Sequence, residues 1–156
     1  MKYSGLIEND ITGAPGLCVS FFTQGCPHRC PGCHNPETWD FAGGMDFTPD
    51  ILNRIVAALT AQNIQRNLCI MGGEPLCSEN IEVTQLVIDT VKEKVPNAKI
   101  YIWSGYIYEE LVKCEEIKTM LQKCDYLIDG PYQAELRDLT LEMRGSSNQR
   151  IIALKD

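Results

Sequence analysis

Residues 17–33 read LCVSFFTQGCPHRCPGC. The first part of this stretch is mostly apolar, with β-branched and aromatic members, which is typical of a largely buried strand. A loop with three cysteines in the spacing C-x3-C-x2-C follows the strand directly. The sequence therefore predicts a chemically active loop at the end of a core strand.

Downstream of this loop, helical and strand patterns alternate. Thr48, Pro49 and Asp50 predict a helix start, because they supply an N-cap, a proline at the first helical position and an early acid. The other predicted elements are a helix at about 78–95, a helix at 108–122, and strands at 68–71, 99–103, 125–129 and 150–154. This order favours mostly parallel strands joined by right-handed helical crossovers.

The chain length limits how far such a sheet can close. A complete eight-unit barrel needs roughly 250 residues, and this chain has 156. We therefore expect an α/β fold built as an open partial (β/α) barrel, in a single domain that covers residues 1–156.

Charge and hydropathy exclude two classes of partner. A net charge of -7 argues against nucleic-acid binding, which needs a basic surface to displace counterions. The first residues lack the apolar core of a signal peptide, and no apolar run approaches the roughly 18 residues of a membrane span. We expect a cytoplasmic protein that binds neither nucleic acid nor membrane.

The chain contains eight cysteines, and three of them lie in one loop. In a chain without an export signal, a tight group of cysteines favours a metal or cluster site over disulfides. For Cys18, Cys69, Cys114 and Cys124 we expect buried apolar packing. The sequence assigns no role to Cys77.

Cys26, Cys30 and Cys33 suit a 4Fe-4S cluster, whose irons are held by cysteine thiolates. Three cysteines leave one of the four irons open to a substrate, which disfavours a simple ferredoxin-like electron carrier. The main alternative is a zinc-stabilised interaction module, with zinc completed by His28, His34 or a remote cysteine. Its weakness is that no second close pair of ligands exists.

Three further polar motifs each follow a predicted strand: Gly72-Gly73-Glu74, Ser104 and Asp129. In parallel α/β folds ligands bind at the carboxyl edge of the sheet, so we expect these residues and the cysteines to line one binding site. Each motif also has a plainer interpretation as ordinary turn chemistry.

The cysteine loop, followed one helix and one strand later by Gly-Gly-Glu-Pro, resembles the radical S-adenosylmethionine superfamily. Segments across nearly the whole chain resemble the activating proteins of anaerobic (class III) ribonucleotide reductase. These segments are QGC at 24–26, GCHNPETW at 32–39, WSGY at 103–106, DGP at 129–131 and RGSSNQR at 144–150. One difference is Gly32, which stands where the superfamily often has an aromatic residue, so backbone at Gly32, Cys33 and His34 would contact the adenine.

The resemblance implies a 4Fe-4S cluster on the three cysteines and S-adenosylmethionine on the open iron. Reductive cleavage would give a 5'-deoxyadenosyl radical that takes a hydrogen atom from a glycine of the reductase large subunit. The resemblance implies an oxidoreductase with no catalytic residue beyond the cluster and S-adenosylmethionine. An electron donor such as flavodoxin would reduce the cluster. Activation of another glycyl-radical enzyme, or a small-molecule reaction such as carboxy-deazaguanine synthesis, stays open.

The resemblance also implies roles for the strand-end residues. Gly72 and Gly73 would let the methionyl amine approach bare backbone, and Glu74 would either accept a hydrogen bond from that ammonium or anchor the loop. Ser104 and Asp129 would contact the ligand carboxylate and the ribose hydroxyls. Further along the chain, the roles of Arg144 and Asn148 stay unassigned.

Overall fold

The computed structural model describes residues 1–155. Its strands are β1 (Lys2–Asp10), β2 (Cys18–Thr23), β3 (Met45–Asp46), β4 (Asn67–Gly72), β5 (Ile100–Trp103), β6 (Tyr126–Asp129) and β7 (Arg150–Ala153). Its helices are α1 (Pro49–Thr60), α2 (Ile81–Lys94), α3 (Tyr108–Leu111) and α4 (Glu115–Leu121).

The strands form one open sheet in the order β3-β1-β2-β4-β5-β6-β7. The four central strands, β2, β4, β5 and β6, are parallel, which confirms the predicted α/β class. β1 and β7 pair antiparallel at the two sides. The carboxyl ends of all four parallel strands therefore meet at one edge, where the cysteine loop begins.

The helices cover one face of this sheet. Strand residues that point to that side, such as Phe21, Ile70 and Ile102, are fully buried against α1 and α2. The predicted helix start at Thr48 and Pro49 is confirmed, since α1 begins at Pro49 with Thr48 as its N-cap residue. Alternate strand residues point to the opposite face, as the pleat requires.

The opposite face carries a smaller apolar cluster. Cys69, Tyr101 and Ile128 are buried there. The chain before β7 crosses this face: the indole N–H of Trp103 donates to the Met143 carbonyl at 2.8 Å. This face is therefore covered partly by loop rather than by helix.

One predicted helix was wrong. Residues 108–122 form two short helices, α3 and α4, and the backbone at Cys114 is extended between them. The break allows Leu111 on the first helix and Met120 and Leu121 on the second to reach the core. The sequence has no glycine or proline at this break. We therefore attribute the break to the packing of these side chains.

The expectation for the scattered cysteines is confirmed in three cases and wrong in one. Cys18, Cys69 and Cys124 are buried, but Cys114 is exposed at the bend between the two short helices. Cys77 is also buried, and its thiol donates to the Glu74 carbonyl at 3.2 Å. Among residues 1–155, no helix combines the length and the apolar character that a bilayer span requires.

Thiol reactivity tests this arrangement. Burial raises the pKa of Cys77 to about 11 and that of Cys124 to about 12, and the thiolate is the form that reacts. We expect iodoacetamide at pH 8 to alkylate Cys114 of the folded chain well before Cys77 or Cys124, as followed by peptide mass spectrometry. Equal rates for the three, with folding confirmed by circular dichroism, would contradict the assigned burial.

Candidate functional site

A cavity of about 180 Å³ opens at the carboxyl edge of the parallel strands. The loop after β2, the turn after β4 and the chain after β5 and β6 form its walls. Seven residues predicted from the sequence line it: Cys26, Cys30, Cys33, Gly72, Gly73, Glu74 and Ser104. The structure therefore brings most of the predicted site together.

The cysteine loop is closed at its base by backbone hydrogen bonds. The amide of Gly25 donates to the Thr38 carbonyl at 2.6 Å, and that of Cys26 donates to the Trp39 carbonyl at 3.2 Å. The amide of Cys33 donates to the Cys30 carbonyl at 3.1 Å, which makes a tight turn between these two cysteines. The three thiols are consequently held on one short, closed loop.

The electrostatics of Cys26 favour the neutral thiol in the cluster-free chain. Burial raises its pKa, and the nearby charges of Glu74 and Cys30 raise it further, against backbone hydrogen bonds from His28 and Arg29 that lower it. A bound cationic metal reverses this balance, because coordinated cysteines are deprotonated.

The arrangement of the possible metal ligands does not suit a single metal ion. Within the described part of the chain, no three His, Cys, Asp or Glu side chains are grouped closely enough to hold one metal ion. In a 4Fe-4S cluster each cysteine binds a different iron, so its ligands do not need to meet at a single point. The three thiols on one cavity wall fit that donor set.

Gly72 and Gly73 lie against the end of β2. Gly72 has a φ of 147°, and a Cβ atom added there would collide with Thr23. At Gly73 an added Cβ atom would lie 2.5 Å from the Gly25 carbonyl oxygen. Both glycines are thus required for close packing between the turn and the base of the cysteine loop.

Gly73→Ala tests this close approach. A side chain forced against backbone must push the loop base away, which typically costs about 1–3 kcal/mol in the free energy of unfolding. We expect that loss in urea unfolding of the cluster-free chain, together with lower iron content after reconstitution. An alanine variant with unchanged stability would show that the loop base is not packed as described.

Glu74 is fully buried and lies at the centre of a hydrogen-bond network. Its Oε1 accepts from the Gly105 amide at 2.7 Å and lies 2.7 Å from Nε2 of His28. Its Oε2 accepts from the Leu76 amide and the Ser104 hydroxyl, both at 2.9 Å. Four donors therefore surround the carboxylate, which favours the predicted anchoring role over direct binding of an ammonium group.

Asp129 is not brought to the cavity. It is buried in an ion pair with Arg150, whose Nε and Nη2 lie 3.0 and 2.5 Å from its two oxygens. It also accepts from the Tyr108 amide at the start of α3. Both of its oxygens are therefore bonded to protein groups. Its contact with a ribose stays a prediction.

Gly32 and His34 lie outside the lining of this cavity. His34 lines a neighbouring cavity of about 410 Å³, which shares Met71 and Trp103 with the first. The rings of His34 and Tyr132 lie 5.2 Å apart. The two cavities therefore adjoin, and a ligand larger than the first would extend towards His34.

Sequence reasoning missed several lining residues, including Trp39, Gly130, Tyr132 and Gln149. Gly130 directly follows β6, so the strand-end rule could have found it. Gln149 precedes β7, whose antiparallel direction carries no local signal. Trp39 also lines the cavity, and its buried indole N–H lacks a hydrogen-bond partner among the described residues.

Comparisons with known proteins show which family the chain resembles. A family model described as a 4Fe-4S single cluster domain matches residues 12–152. A Vibrio cholerae protein named anaerobic ribonucleoside-triphosphate reductase-activating protein is 34% identical over 97% of this chain and 97% of its own. A protein of the same name from Enterobacteria phage T4 is 35% identical over 97% of this chain and 93% of its own. Another, from Escherichia coli K12, is 31% identical over 99% of this chain and 100% of its own.

The chain belongs to this family of reductase-activating proteins. Family membership decides between the two interpretations of the cysteine loop, because the matching model is that of a 4Fe-4S domain rather than a zinc module. The matched region includes the cysteine loop, the Gly-Gly-Glu turn and every residue that lines the first cavity.

Proposed function

We propose that this chain is a radical S-adenosylmethionine activase that generates a glycyl radical on an anaerobic ribonucleoside-triphosphate reductase. The observation that carries the proposal is the single cavity that joins the cysteine loop to the Gly-Gly-Glu turn and the end of β5. Relatives named as activating proteins of that reductase, similar over nearly their full length, support the choice of partner.

In this proposal Cys26, Cys30 and Cys33 hold a 4Fe-4S cluster and leave one iron for S-adenosylmethionine. When bound, a reduced cluster would supply the electron that splits the sulfonium bond to C5', which would give methionine and a 5'-deoxyadenosyl radical. This is redox chemistry carried by the cofactor, and the protein fixes orientation and excludes water.

The cavity residues suit that orienting role. Trp39 presents an unpartnered N–H, which we assign to an acceptor on the bound group, such as a sulfur of the cluster or the methionyl carboxylate. Backbone at Gly72 and Gly73 lines the same wall and would face the methionyl amine. The adjoining cavity beside His34 would take the nucleoside.

The open sheet supports a macromolecular substrate. We assign the fold to a partial barrel of the radical S-adenosylmethionine type, formed by one domain over the whole chain. Because the sheet is not closed, a protein loop that carries the target glycine could reach the cavity from the side, whereas small substrates are usually enclosed. The proposal further includes an electron donor such as flavodoxin and a cytoplasmic location.

An anaerobic radical assay tests the proposal. The reconstituted chain is mixed with a chemical reductant, S-adenosylmethionine and the large subunit of an anaerobic ribonucleoside-triphosphate reductase. We expect a glycyl radical signal by electron paramagnetic resonance and release of methionine, both dependent on S-adenosylmethionine. The control is a reductase subunit whose radical glycine is replaced by alanine, on which no signal should form.

Two other results would change the assignment. Methionine release without a radical on the reductase would show an active cluster with a different partner, either another glycyl-radical enzyme or a small molecule. A protein that takes up no iron under anaerobic reconstitution would remove the radical mechanism altogether.

A further inference from the structure

We propose that His28 is a positioning residue, which fixes the first half of the cysteine loop by its hydrogen bond to Glu74. The inference rests on the proposed function, since it concerns the loop that would hold the cluster. It adds a residue that neither the cysteine motif nor the Gly-Gly-Glu motif includes, and it gives Glu74 a partner on that loop.

The contacts of His28 leave its ring little freedom. Nε2 lies 2.7 Å from Oε1 of Glu74, and a carboxylate can only accept, so this nitrogen carries the proton. The ring packs edge-on against Tyr106, with centroids 4.5 Å apart. On its remaining side, a Cβ atom added at Gly105 would lie 2.6 Å from the ring. Gly105 therefore makes the room that the imidazole occupies.

The acceptor is equally fixed. The carboxylate of Glu74 is fully buried, and donors from the chain just after β5 and from its own turn hold its other positions. The Glu74 amide donates to the Gly25 carbonyl at 2.8 Å, so the same residue also binds the base of the loop. His28 is thereby tied to an immobile point on the sheet edge.

The loop needs such a tie. Its base is closed by the Gly25 and Cys26 amides, but the span from Cys26 to Cys30 passes through Arg29, which has a left-handed φ of 49°. The hydrogen bond from His28 anchors that span between the two cysteines. Because the ring and the carboxylate both belong to the protein, we expect their hydrogen bond to order this span in the cluster-free chain as well.

A matched pair of variants tests this role. His28→Leu introduces an apolar side chain of similar size that cannot make the hydrogen bond, whereas His28→Gln retains an N–H donor of similar reach. The first readout is hydrogen–deuterium exchange of residues 26–33 in the full-length, cluster-free chain. Loss of a hydrogen bond to a charged group makes local opening of the loop easier, so we expect roughly 10- to 100-fold faster exchange in the leucine variant. In the glutamine variant we expect near-normal exchange.

The second readout uses the anaerobically reconstituted protein. We expect the leucine variant to bind less iron and to show an altered paramagnetic resonance signal of the reduced cluster, with both restored in the glutamine variant. Equal exchange in wild type and both variants would overturn the proposal, as would a glutamine variant that behaves like the leucine variant. The exchange experiment decides this even if the chain fails to activate any reductase, because it involves neither cluster nor partner.

Discussion

Cys30→Ser is expected to abolish stable cluster binding and, with it, cleavage of S-adenosylmethionine. Cys30 lies in the middle of the three-cysteine loop, and its carbonyl accepts the amide of Cys33 in the turn that presents both thiols. A serine hydroxyl stays protonated near neutral pH and is a poor ligand for cluster iron, which is held by thiolates. The measurement is iron and acid-labile sulfide per chain after anaerobic reconstitution, with methionine release as the functional readout.

Cys114→Ser is the matched control for that experiment. Cys114 is exposed and does not line the cluster cavity, so iron content and methionine release should equal those of wild type. Full iron content in Cys30→Ser would remove Cys30 from the ligand set. A colourless wild-type protein with stoichiometric zinc would instead restore the zinc interpretation of the loop.

The central parallel strands were predictable because each is a short apolar run between turn signals, and such runs are buried wherever they lie in the sheet. Strand β1 was not predictable from the sequence, since its residues Ser4, Gly5 and Glu8 are weak strand formers. Its extended state comes from pairing with β2, which is a tertiary effect. The same holds for the break between α3 and α4, where burial of Leu111 outweighs helix propensity.

The site was predictable as a set of positions but not as a set of contacts. The strand-end rule places Glu74, Ser104 and Asp129 at one edge of the sheet, and the structure agrees. It does not reveal which partner each side chain takes. Asp129 pairs with Arg150, from a strand whose direction the sequence does not signal, while Glu74 collects donors from three separate segments.

This difference in partners leads to a strong prediction for Glu74→Ala. The substitution would remove the acceptor from two buried donors, Ser104 and Leu76, and from two partly buried donors, His28 and Gly105. Removing one member of a buried, charged hydrogen-bond network costs roughly 3–5 kcal/mol. We expect a loss of that size in the free energy of unfolding, measured by urea titration of the cluster-free chain, and weaker binding of S-adenosylmethionine as a consequence of the displaced loop.

Glu109→Ala is the matched control for this prediction, because it removes the same side chain from an exposed ion pair with Arg150. Such surface pairs typically contribute less than about 1 kcal/mol, and Asp129 still pairs with the arginine, so stability should hardly change. The pair of variants also separates the two roles considered for Glu74. A Glu74→Ala protein of wild-type stability that binds S-adenosylmethionine poorly would make Glu74 a direct ligand, whereas a large loss of stability identifies it as the anchor of the site.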